Sequence, residues 1–106
     1  MERTPLFYLA NLGSEVNRIF TLKEKGLLKE AEGAYNRAMG IVEKLLNHPN
    51  LEGRTGEIEM LKDYLEQSMK SEDVQFLKKE WQRYFFPYAN RLFSAYNLPP
   101  KTYNLQ

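Results

Sequence analysis

Acid–base or metal chemistry in this chain would fall to its single histidine, His48, and to its Asp and Glu residues, because it contains no cysteine. Without thiols there are no disulfides, thiolate metal sites or cysteine nucleophiles. Helical zinc and di-iron sites need His or Glu three or four residues apart on one face. His48 has no such neighbour on a shared helix face, since Pro49 follows it directly. Glu57, Glu59, Asp63 and Glu66 fall around one helix. They could hold a divalent cation if two faced inward, and form a solvated face if they do not. Gly53 and Gly56 are followed by Glu57 and Ile58, not by the Lys–Ser/Thr pair that opens a helix in a phosphate loop. No catalytic, cofactor-binding or metal-ligating residue is assigned, and a non-enzymatic role is expected.

Two other groups of residues could recognise a partner. Trp81, Tyr84, Phe85, Phe86, Tyr88, Phe93 and Tyr96 are concentrated near the carboxyl end, beside Arg83 and Arg91. Helical spacing can send Trp81, Tyr84/Phe85, Tyr88, Leu92 and Tyr96 to a core, leaving Phe86 and Phe93 pointing elsewhere. Aromatics beside arginine are typical of protein interface hot spots, and the same set could stack bases while cations neutralise phosphates. The second group is Gly26, Gly33 and Gly40, spaced by seven. Gly26 reads as a helix cap. Gly33 and Gly40 are either incidental or mark a close approach by the last helix or by a partner chain. The candidate interaction residues are therefore Trp81, Arg83, Phe86, Arg91, Phe93, Gly33 and Gly40.

The elements that must position them are helical throughout. Thr4 and Pro5 announce a helix over about residues 5–25, with Leu9, Leu12, Val16 and Ile19 as its stripe and Gly26 beyond its end. Leu28, Ala31, Tyr35, Ala38, Val42 and Leu45 form a heptad seam in a second helix, stopped by Asn47-His48-Pro49-Asn50. A third helix over about 55–70 carries Ile58, Leu61, Leu65 and Met69, with Glu66 placed to pair with Lys70. Ser71 reads as the next N-cap, and Val74, Leu77, Trp81, Tyr84 and Phe85 as the next stripe. That stripe continues beyond Pro87 through Tyr88, Leu92 and Ala95, which predicts a kinked or two-piece last helix. The expected fold is all-α, an antiparallel four-helix bundle kinked at Pro87, with residues 1–98 as one domain and 99–106 as an extended tail. The structural rival is a three-helix core whose last helix is swapped onto a second chain.

Gly26, Ala31, Tyr35 and Ala38 fall at spacings that resemble the turn and second helix of a tetratricopeptide repeat, over about residues 15–48. In that family small residues let two helices pack closely while the aromatic fills the gap. Arg18, Ile19 and Glu43 depart from the pattern, and there is no second copy. The resemblance implies a close helix hairpin with Ala–Tyr packing and a weak pointer to peptide binding. Small helical bundles also invite comparison with the helical nucleotide-binding ribonucleases of the HEPN family, whose motif is an Arg followed a few residues later by a His. Arg37 is the nearest upstream arginine to His48 and lies too far back, so a relation to that family would be a catalytically degenerate one.

At 106 residues, 42% hydrophobic and 27% charged, the chain fits one globular domain. Residues 1–75 carry ten Lys/Arg against thirteen Asp/Glu, a balance of −3, while residues 76–106 carry five against one, a balance of +4. No apolar run approaches the length of a membrane span, and the first residues lack a secretory pattern, so a cytoplasmic address is expected. The expected role is a protein–protein interaction module, self-associating as a homodimer through segment 81–96. Single-stranded nucleic-acid binding by the same face is the alternative, with no cofactor and no membrane partner.

Overall fold

The side chain of Thr4 starts the first helix by accepting the Phe7 N–H on Oγ1 at 3.2 Å, with Pro5 just inside, where a missing N–H costs nothing. This helix, α1, runs Pro5–Glu24. It ends in a Schellman motif: the Gly26 N–H donates to the Lys23 carbonyl at 3.0 Å and the Leu27 N–H to the Leu22 carbonyl at 2.9 Å. Gly26 has φ 74°, a left-handed conformation that glycine adopts without steric cost. The computed structural model describes residues 3–95, with side chains as far as Pro87 at the carboxyl end.

Three further α-helices follow: α2 (Leu28–Leu46), α3 (Gly56–Lys70) and α4 (Val74–Ala95), with a short 3₁₀ turn over Pro49–Leu51 between α2 and α3. There is no strand among the described residues. α1 packs closely against α2 and against α4, and α3 meets α2 over a shorter stretch. Leu12, Val16, Ile19 and Phe20 of α1 are buried against Ala34, Ala38, Val42 and Leu45 of α2 and Leu77, Trp81 and Phe85 of α4 in one core, completed by Ile58, Leu61 and Leu65 of α3.

Details depart from the sequence reading in four places. The α2 seam is buried from Ala31 through Ala34, Ala38, Val42 and Leu45, whereas Leu28, the first residue of the helix, is exposed. The helix expected to be capped by Ser71 begins at Val74, so Ser71 Oγ accepts the Asp73 N–H at 3.1 Å in a turn that precedes it. Glu66 and Lys70 do not form an ion pair among the described residues; Glu66 faces Tyr35 of α2 instead. α4 continues through Pro87 as one helix, not as two pieces. The tail over 99–106 and the turn at Leu98-Pro99-Pro100 lie outside the described residues.

Candidate interaction surface

Trp81 is the first candidate to place, and it corrects an expectation. Its side chain is buried, only 3% exposed, and its indole N–H donates to Ser68 Oγ of α3 at 3.2 Å. Burial follows from its position between α3 and α4, where the rings of Tyr64, Tyr84 and Phe85 surround it. Trp81 stacks on Phe85 (centroids 5.6 Å apart, 15° between planes), lies against Tyr64 at 5.0 Å, and meets Tyr84 edge-on at 6.2 Å. Tyr84 in turn donates its hydroxyl to Glu57 Oε1 at the start of α3. Trp81 is thus a core residue fastening α3 to α4, not a surface anchor.

The other candidates divide. Arg83 is exposed and pairs with Glu80 on its own helix at 3.5 Å. Phe86 is half-buried. The side chains of Arg91 and Phe93 lie outside the described residues. Gly33 and Gly40 are on an open side of α2: a methyl group at Gly33 would meet only the Arg37 guanidinium at 3.7 Å, and at Gly40 nothing within 4 Å. Among the described residues, no side chain of α4 comes within 4 Å of a methyl group built at either glycine. Gly40 instead borders a shallow groove between α1 and α2, in which Glu15 holds Arg18 and Arg37, each at 2.8 Å.

Sequence reasoning missed the apolar side chains that are exposed. Met60 is 73% exposed, Phe76 54% and Tyr64 45%. Met60 and Tyr64 line an open groove of about 480 Å³ between α3 and α4, floored by Leu61 and Trp81 and bordered by Glu57 and Glu80. Phe76 lies one turn before Glu80 on the same side of α4. A signal for all three was available, since each is the apolar residue left out of its helix's core stripe.

The remaining titratable groups serve the fold. His48 is buried and uses both ring nitrogens: Nδ1 accepts the Asn50 N–H at 3.1 Å, and Nε2 donates to the Arg3 carbonyl. Lys23 donates to the carbonyls of Met69 and Ser71 at 2.9 and 3.0 Å, placing a cation at the carboxyl end of α3. Burial lowers its pKa. Tyr35, in the groove of about 760 Å³ between α2 and α3, has its phenol pKa raised by burial and, secondarily, by Glu66. Glu57, Glu59, Asp63 and Glu66 do not converge, and no group of three or more His, Asp or Glu side chains is placed to share a metal ion among the described residues. No helix among them is long and apolar enough to cross a membrane.

No protein-family model, curated protein or solved structure matches this chain.

Proposed function

We propose that this chain is a non-enzymatic helical interaction module that self-associates as a cytoplasmic homodimer through the outer side of α4. The observation that carries the reading is the exposure of Met60, Tyr64 and Phe76 on adjoining helices. Large apolar side chains gathered on one side mark interaction sites more often than isolated ones do. Arg83 and Lys79, exposed on the same helix, would set orientation at the rim. Phe86, Arg91 and Phe93 extend the same proposal toward the carboxyl end.

The architecture we associate with it is an antiparallel four-helix bundle. The pairings Glu24–Lys78 and Asn17–Gln82 support antiparallel α1 and α4, because one partner's number rises as the other's falls. A kink at Pro87 belongs to the same reading: proline cannot donate to the Arg83 carbonyl one turn back. Burial of Ala31 and Ala38 favours tetratricopeptide-like packing of the α1–α2 hairpin, whereas Tyr35 lies in the groove toward α3.

Sedimentation equilibrium of the full chain tests the proposal. A concentration-dependent rise from monomer to dimer mass is expected, and a monomer at every concentration overturns it. The second reading, single-stranded nucleic-acid binding, draws on Lys79 and Arg83 flanking Phe76 on α4. A gel shift with RNA or single-stranded DNA that collapses with added salt would favour it.

A further inference from the structure

The outer side of α3 and α4 has an order to it. At 100° per residue, α3 presents Glu59 and Asp63 on its far flank and then Met60 and Tyr64 toward α4. Across the groove α4 presents Glu80 and Phe76, and then Arg83 and Lys79 on its own far flank. The face therefore runs from acidic, through apolar side chains bordered by Glu57 and Glu80, to basic. Glu59, Asp63 and Lys79 are exposed and have no ion-pair partner among the described residues.

We infer that the occupant of this face is the same face of a second copy of the chain, related by a two-fold axis running along the α3–α4 groove. The inference rests on the self-association proposed above and specifies its geometry. An isologous interface must be complementary to itself. Rotation about an axis parallel to the helices lays α3 of one copy over α4 of the other. Glu59 and Asp63 then meet Arg83 and Lys79 twice, once on each flank, while Phe76 of each copy lies over the carboxyl end of its partner's α3, beyond Tyr64. An axis perpendicular to the helices would set α3 on α3 and α4 on α4, opposing like charges. The charge order thus selects one of the two arrangements, and apolar burial at the centre drives it.

Sedimentation of the full chain and four variants tests this, with circular dichroism melts confirming that each variant is folded. Phe76→Asp and Met60→Asp, both at exposed positions, should each weaken the dimer at least tenfold. The double variant Lys79→Glu/Arg83→Glu makes both flanks acidic, and Glu59→Lys/Asp63→Lys makes both basic. Each double variant alone should be monomeric at concentrations where the unmodified chain is a dimer. Mixed one to one, they should form a heterodimer, because every flank contact regains opposite charges. A dimer indifferent to Phe76→Asp and Met60→Asp, or double variants that do not prefer each other, overturns this geometry and leaves self-association standing. A chain that remains monomeric throughout overturns both.

Discussion

Gly13 of α1 lies directly against Phe85 of α4: a methyl group built on Gly13 would fall 2.8 Å from the Phe85 Cβ and 2.9 Å from its Cγ. Neither atom is the far end of a flexible chain, so α1 and α4 approach as they do only because residue 13 has no side chain. Phe85 in turn stacks on Trp81, so the contact sets where the ring cluster sits between α3 and α4.

Gly13→Ala should therefore destabilise the fold by about 1–3 kcal/mol, the cost of overpacking exceeding the gain in helix propensity. Gly40→Ala, which meets open space, should stabilise it by about 0.5–1 kcal/mol. Urea midpoints of the two variants check both signs. If Gly40→Ala or Gly33→Ala instead lowers the dimer fraction in sedimentation, a second chain contacts that side of α2.

Ser68 is buried with Trp81 and receives its indole N–H. Ser68→Ala leaves that donor unsatisfied and should cost about 1–3 kcal/mol. Trp81→Ala removes the ring that fills the α3–α4 gap and should cost about 3–5 kcal/mol. The chain has one tryptophan, so emission during denaturation of the Ser68 variant reports on this joint directly.

His48 joins the Arg3 carbonyl to the turn after α2. His48→Ala should free residues 3–4 and the Asn50 amide together, at about 1–3 kcal/mol. Amide exchange at Asn50 is the measurement. Exchange no faster than in the unmodified chain would show that the ring holds nothing.

Stability should fall as pH rises through the Tyr35 phenol. Its pKa is raised above 10.0, so between that value and its folded value the folded chain keeps a proton that the unfolded chain has released. Lys23, lowered from 10.5 by burial, gives the opposite slope, because there the unfolded chain binds the extra proton. Tyr35→Phe removes the first contribution and leaves the second. Between about pH 9 and about pH 11 its urea midpoint should therefore decline less than that of the unmodified chain.

The helices were legible because each carries its own punctuation. Thr4, Pro5 and Gly26 bounded α1, and Ile58, Leu61 and Leu65 marked the buried side of α3. The partners of each face were not legible. Gly13 gives no periodic signal, and its role appears only once Phe85 is opposite it. Trp81 looked as suited to a surface as to a core, since spacing places it on a stripe but cannot say which helix covers the stripe. Phe76 and Met60 were visible only as residues omitted from the stripes, an exclusion that gains meaning when the two helices are seen side by side.

The arrangement of α3 also governs how the molecule opens. α1 is close-packed against both α2 and α4, whereas α3 is held to α4 by side chains and to α2 along a short seam. Breathing should begin there, with α3 detaching as a unit while the other three helices persist as a subglobally unfolded state. Such a state would bare the α2 side chains beneath it without dissolving the rest, giving the protein a soft side and a hard one.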